Sequence, residues 1–480
     1  MTKMFKTAFL VAFVATIAAN VQAEKKVVCY FGSWTVYRPG NGKIEIQDIN
    51  PNLCTHMIYS FVGLNTDGTI KIMDAWADLS DGGGKNGFGK FVARSKQGGA
   101  KAMIAIGGWN EGSAKYSQVV GNPELRSQFV RNVVSFLQRY NFDGFDVDWE
   151  YPNQRGGQWS DRENFVALLR ELRQAFDSHG YTLSVAVGAA EKSASQSYII
   201  NQVAEYVHFI NLMTYDMNGA WDNWAGLNAP LYAATREKGE QAKLNVDASV
   251  HYWLSQGAPA DKLVLGIPSY GRTFTLANPG NNDVGAPTSG PGAAGPYTRE
   301  AGILGYNEIC ESLRQGGWNV HREPQQRVPY AVKGNQWVGY DDVESVREKC
   351  NYANSLGLAG GMMWSVETDD FRGTCGQNYP LLTVMNEVLR GSEPSNPQPP
   401  PNTSTTSKPT PVPTTKPPSP PASGICQKEG FIRDPNDCSV FYNCVNVNGK
   451  LVEYRLQCPD GLAFDPNING CNYRDQVPGC

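Results

Sequence analysis

Between residues 27 and 365 the chain alternates eight short apolar, β-branched runs with amphipathic stretches, and that alternation leaves few folds open. The runs are Val27–Trp34, His56–Leu64, Ala102–Trp109, Gly144–Tyr151, Leu183–Ala189, Val207–Asp216, Leu263–Gly271 and Gly357–Ser365. Helical periodicity occupies spans between them, such as Glu124–Tyr140 and Asp161–His179. Strands separated by helices pair in parallel, and eight of them fit a (β/α)8 TIM barrel of the α/β class. A doubly wound sheet shares the alternation, but no glycine-rich phosphate loop follows the first run. The stretch from Arg272 to Gln336 is too long for one helix, so a small α+β insertion of about 272–338 is expected after the seventh strand.

The flanks of this region differ in composition. Lys3 and Lys6 precede an apolar run from Ala8 to Ala19, and Val21-Gln22-Ala23 offers small residues at the usual cleavage positions. Residues 1–23 therefore read as a signal peptide cut after Ala23; the run is short for an uncleaved membrane anchor. From Pro394 to Pro421 lie 12 of the 30 prolines, interleaved with Ser and Thr. Such a segment cannot bury enough surface to fold and favours extended polyproline II. The expected organisation is a barrel at 24–390, a Pro/Ser/Thr-rich linker at 391–425 with a sequon at Asn402, and a small cysteine-rich β domain at 426–480. A secreted, extracellular protein follows, with no membrane association and a monomeric state.

Charge and metal chemistry narrow the function. Forty-two Lys and Arg against 46 Asp and Glu give a net charge of −4, which argues against nucleic acid as a partner. The five histidines stand at 56, 179, 208, 251 and 321 without the close spacing of a metal site, so no metal or other cofactor is expected.

The expected strand ends carry the chemistry. They finish in Trp34, Trp109-Asn110, Asp148-Trp149-Glu150, Tyr215-Asp216, Tyr270 and Trp364, and a barrel keeps its reacting groups at that rim. In Asp143-Gly144-Phe145-Asp146-Val147-Asp148-Trp149-Glu150-Tyr151, alternation puts Asp146, Asp148 and Glu150 on one face. Phe145, Val147 and Trp149 take the other, so Trp149 is assigned to packing. Carboxylates at such positions lie about 7 Å apart along a strand. Inside a barrel they cannot all stay ionised, so at least one pKa rises and supplies a proton donor near neutral pH. A solvated acidic strand or a calcium site is the alternative; the apolar opposite face speaks against the first, the missing loop carbonyl pattern against the second.

At these residues the sequence resembles glycoside hydrolase family 18, the chitinases, over about residues 25–390. Phe142–Pro152 (FDGFDVDWEYP) is similar to the family's DxxDxDxE signature, matching it at Asp143, Asp146, Asp148 and Glu150. Lys101–Asn110 (KAMIAIGGWN), Met213–Asp216 (MTYD) and Gly266–Phe274 (GIPSYGRTF) resemble its third-, sixth- and seventh-strand motifs, and Trp364 stands where the family keeps a subsite tryptophan.

The resemblance implies retaining hydrolysis of β-1,4-linked N-acetylglucosamine polymers, endo-acting, with the substrate's acetamide as nucleophile. Glu150 is then the general acid and base. Asp148 holds the acetamide N–H, Asp146 shares a proton with Asp148, and Tyr215 orients the acetamide oxygen. Asp143, of opposite parity, is structural. Asp216 and Arg272 bind hydroxyl or acetyl groups, with Asn110, Met213 and Tyr270 in the same subsites. Trp34, Tyr37, Trp76, Trp109, Trp221 and Trp364 are expected as flat platforms for pyranose faces. The implied partners are chitin and chitooligosaccharides. The rival readings are a chitinase-like lectin, which in this family usually lacks the acid at the position of Glu150, and an enzyme for the chitobiose core of N-glycans.

Export makes disulfides the first reading of the eleven cysteines. The resemblance implies bridges Cys29–Cys54 and Cys310–Cys375, leaving Cys350 as a buried thiol or an intermolecular link, with burial favoured. Cys426, Cys438, Cys444, Cys458, Cys471 and Cys480 allow 15 pairings, and spacing alone does not choose. They resemble the peritrophin-A type chitin-binding domain, which implies Cys426–Cys444, Cys438–Cys480 and Cys458–Cys471, with an EGF-like knot as the alternative. Phe441, Tyr442, Phe464 and Tyr473 are candidate chitin contacts.

Overall fold

In the computed structural model the described residues are 24–391 and 426–480, apart from 429, 448–449, 459–461, 467–469 and 475–476. The leader, the linker with Asn402, and the side chains of Cys471 and Tyr473 lie outside the described part. The chain divides into two compact units.

The larger is the expected barrel. Its strands are β1 (Lys26–Gly32), β2 (His56–Leu64), β3 (Lys101–Gly107), β4 (Gly144–Asp148), β5 (Thr182–Gly188), β6 (Phe209–Met213), β7 (Leu263–Pro268) and β8 (Gly360–Trp364). Each pairs in parallel with the next, and β8 returns to β1 through Lys26↔Gly360 and Val28↔Met362, which closes the sheet.

Alternation divides every strand between two cores. Val28, Tyr30, Ile58, Met103, Ala105, Ala186, Phe209, Val264 and Met362 fill the interior. Their neighbours, such as Phe31, Ile104, Phe145, Val147, Val185 and Leu265, pack outward with the apolar stripes of the helices. Helix Pro123–Tyr140 shows how local sequence sets an element. Asn122 accepts from the backbone N–H groups of Glu124 and Leu125, Pro123 occupies the first turn, and Asn141 ends the helix in the left-handed region. Among the described residues no helix is long and apolar enough to cross a membrane.

After β7 the chain leaves the barrel. Strands Tyr270–Leu276, Thr288–Pro291, Ile303–Gly305, Asn319–Glu323, Val328–Lys333 and Gln336–Gly339 form an antiparallel sheet with helix Tyr306–Arg314. It has its own apolar core around Leu227, Phe274, Leu276, Val328 and Trp337. Disulfides join Cys29 to Cys54 and Cys310 to Cys375, and Cys350 is a buried free thiol.

The smaller unit has a three-stranded antiparallel sheet (Gly430–Arg433, Val440–Val447, Lys450–Gln457) and a two-stranded one (Leu462–Asp465, Gly470–Tyr473). Cys426–Cys444 and Cys438–Cys480 are bridged. Two candidate chitin contacts turn inward. Phe464 is fully buried and stacks on Phe441 at 4.3 Å, while Tyr442 is buried and donates to Asp434 Oδ2 at 3.0 Å. Within a unit this small, aromatics supply core that the disulfides alone do not.

Candidate active site

Strand β4 carries Asp146 and Asp148 into the barrel, where both are buried. Asp146 sits in a cage of three donors. The Tyr30 hydroxyl reaches Oδ2 at 2.7 Å, and Ser184 Oγ and Asn211 Nδ2 reach Oδ1 at 2.5 and 3.4 Å. Asn211 also donates to the Tyr30 oxygen at 3.0 Å. Burial pushes the Asp146 carboxyl up to about 6, although the three donors pull it down.

Asp148 has no such cage. Its Oδ1 is buried and has no hydrogen-bond partner among the described residues. Burial, then Glu150, then Asp146, raise this carboxyl well above the usual range. A buried, unpartnered carboxyl oxygen among other acids stays protonated or takes up a donor from outside the chain.

Glu150 lies two residues beyond the end of β4 and is only half-buried. Burial raises it to about 7, against the pull of the Tyr151 hydrogen bond and the Arg155 charge, with Asp216 adding to the rise. A carboxyl poised there gives up a proton and takes one back at neutral pH. The end of β4 fits only because β3 finishes in glycine. Gly107 has φ +118, and a Cβ there would stand 2.0 Å from the Asp148 carbonyl oxygen; a Cβ on Gly108 would meet the Phe61 ring at 2.7 Å. Asp143, of the other parity, accepts from Ala102 N at 2.9 Å and pairs with Lys96, outside this group.

The chain after β6 supplies the facing wall. Tyr215 is buried, and among the described residues its hydroxyl meets only the Met362 sulfur at 3.9 Å, a weak acceptor. Met213, at the end of β6, is half-buried. Asp216 has φ +57, and its carboxylate is already engaged: Tyr270 and Arg272 Nε donate to Oδ1 at 2.7 Å each, and Arg272 Nη2 lies 2.7 Å from Oδ2. The guanidinium rests 5.0 Å from the Trp221 ring.

The aromatics fall into groups. Trp364 contacts Tyr30, Phe61 and Trp34 at centroid distances of 5.3, 5.7 and 6.3 Å. Trp109 and Trp221 are 58% and 60% exposed, and Asn110 is exposed beside Trp109, whereas Trp149 is 1% exposed, donates to Ser113 Oγ and packs on Tyr116 and Phe165. Tyr37 and Trp76 form a separate exposed pair, stacked at 5.9 Å, with the Tyr37 hydroxyl on Asp74.

Tyr30, Phe61, Ser184, Asn211 and Arg155 belong to this site and are absent from the sequence reading. Ser184 and Asn211 leave a trace, each a polar residue at an inward position of an otherwise apolar strand. Arg155 leaves none, because its place depends on loop geometry.

Residues 26–369 match the family model of the glycosyl hydrolases family 18, and residues 426–480 that of the chitin binding peritrophin-A domain. Among curated proteins, probable chitinase 2 of Drosophila melanogaster is 44% identical over 427 residues, covering 81% of this chain and 86% of the fly protein. Among solved structures, the Ostrinia furnacalis group IV chitinase in complex with allosamidin superposes with a TM-score of 0.74 at 47% identity, covering 76% of this chain and 99% of the other. Human YKL-39, a pseudo-chitinase with retained chitooligosaccharide binding, superposes with a TM-score of 0.71 at 37% identity, covering 77% and 100%.

Proposed function

The chain belongs to the glycosyl hydrolases family 18, and from that membership we propose that it is a secreted chitinase, cutting β-1,4 links of N-acetylglucosamine polymers with retention of anomeric configuration. One observation carries the chemical part of the proposal. A buried carboxyl with an unpartnered oxygen, Asp148, lies between a fully caged Asp146 and a Glu150 poised near 7.

Glu150 gives its proton to the glycosidic oxygen while the carbonyl oxygen of the substrate's own acetamide attacks C1. The bond to the leaving sugar breaks and an oxazolinium ion forms. Asp148 accepts the acetamide N–H and, as the proton it shares moves toward Asp146, offsets the positive charge. Tyr215 orients the acetamide oxygen, for which its weakly engaged hydroxyl is suited. Glu150, now a carboxylate, takes a proton from water as that water attacks C1 from the face the leaving group vacated. Two displacements at C1 restore the original configuration. The engaged carboxylate of Asp216 suits it to hold Arg272 in place, and Trp364 offers its indole to the sugar ring.

The unit at 426–480 binds chitin, and the linker keeps the barrel close to that insoluble surface. The test is Glu150→Gln assayed on fluorogenic chitotriose beside a glycoprotein substrate. The expected result is oligosaccharide binding near that of the wild type with turnover lower by about three orders of magnitude or more, the loss of a general acid. Near-normal cleavage by that variant, or product of inverted configuration, refutes the mechanism. A wild-type preference for the glycoprotein refutes the substrate.

A further inference from the structure

Arg155 makes contacts that its exposed position does not require. Its guanidinium carbon lies 3.5 Å from the centroid of the Trp109 ring, and Nη1 donates to the carbonyl oxygens of Trp109 at 2.7 Å and Glu150 at 3.0 Å. One planar cation thus covers one face of the most prominent indole near β3 and grips the backbone of the residue just past β4.

The loop holding it is built at a cost. Asn153, Arg155 and Gly156 have φ of 63°, 51° and 89°, and a non-glycine residue in that region is strained. The surroundings determine this conformation. Buried Asp161 accepts through Oδ2 from the Asn153 and Gln158 N–H groups and from Ser117 Oγ. Gln154 Nε2 donates to Ser193 and Ser197, and Ser113 N to the Arg155 carbonyl. Trp109, by contrast, follows Gly107 and Gly108, both at positive φ, and more than half its surface is open. Left to its own backbone, that indole has little to fix its angle.

We propose that Arg155 is a positioning residue, a strut that clamps the Trp109 platform to the backbone of Glu150 and leaves the other indole face for a sugar. The proposal rests on the chitinase reading above. Arg155 also contributes the positive charge acting on the Glu150 carboxyl. The other ionisable groups around that carboxyl are Asp148, Asp216, Tyr151, Tyr198 and Tyr215, and the Arg272 charge is committed to Asp216.

The test compares wild type, Arg155→Met and Arg155→Lys on fluorogenic chitotriose across pH, with thermal melts to establish folding. Arg155→Met should raise KM about two- to fivefold, the value of an exposed cation–π contact, with kcat changed by less than about twofold. Removing the cation makes the Glu150 carboxylate less favourable, so the alkaline limb of kcat/KM should move up by about half a pH unit. Arg155→Lys keeps the charge but not the planar fork, so its limb should return to the wild-type position while the KM defect persists. A wild-type KM in Arg155→Met, or a limb that does not move, overturns the strut. A wild-type chain without turnover overturns the chitinase reading itself.

Discussion

Asp146 makes the energetics of the site measurable without any substrate. Its carboxyl is buried and raised from the ordinary 3.8 to about 6. The sign follows from linkage. The folded state holds the proton more tightly than the unfolded chain, so this group's contribution to stability is fully present below about 4 and is lost as pH rises through about 6. At 1.36 kcal/mol per unit, the loss between pH 4 and pH 8 is about 2 kcal/mol. Asp146→Asn keeps the shape and an acceptor for Tyr30, and cannot ionise. At ~2.1 cal/mol/K per residue, a barrel of roughly 365 residues has an unfolding entropy of ~0.8 kcal/mol/K, so 2 kcal/mol corresponds to about 3 °C. The assay is the melting temperature of both proteins at pH 4 and pH 8, at one scan rate. Groups that do not feel Asp146 cancel in the double difference, and Asp148, whose carboxyl Asp146 helps to raise, moves in the same direction, so the variant should gain about 3 °C or more on the wild type between the two pH values. A double difference of zero would refute the elevated Asp146 carboxyl, and a negative one would reverse its sign.

Two further outcomes can be checked. Deleting residues 391–480 should lower activity on solid chitin more than on soluble chitotriose, because only the former depends on local concentration through the tether; equal losses on both would contradict anchoring. Gly107→Ala combines a strained φ with a Cβ 2.0 Å from the Asp148 carbonyl oxygen, so it should cost about 3 kcal/mol or more and displace the end of β4. A wild-type melting temperature for that variant would contradict the close approach.

The barrel is legible in the chain because a period of two and an apolar run need no tertiary information. The same parity places Asp146 and Asp148 inward and sends Trp149 to the outer core. The cage around Asp146 is a different matter. Tyr30, Ser184 and Asn211 lie 116, 38 and 65 residues from it along the chain, and only closure of the sheet brings them to one carboxylate. Asp216 and Arg272, 56 residues apart, engage each other before any ligand arrives, which spacing does not reveal. Arg155 is only five residues from Glu150, yet its reach depends on left-handed backbone angles that residue identity does not announce. In the small unit, composition counts aromatics without saying which are covered, and Phe464 proves to be core.

The antiparallel sheet after β7 is more than an ornament on the barrel. Its first strand, Tyr270–Leu276, supplies both Tyr270 and Arg272 to Asp216, which follows the end of β6. Anyone wishing to trim this enzyme to a minimal scaffold, or to exchange that module with one from a relative, therefore inherits a constraint. The excision boundary has to fall after Arg272, or the transplanted piece has to bring its own tyrosine and arginine, because otherwise an orphaned aspartate is left facing the acid that does the work.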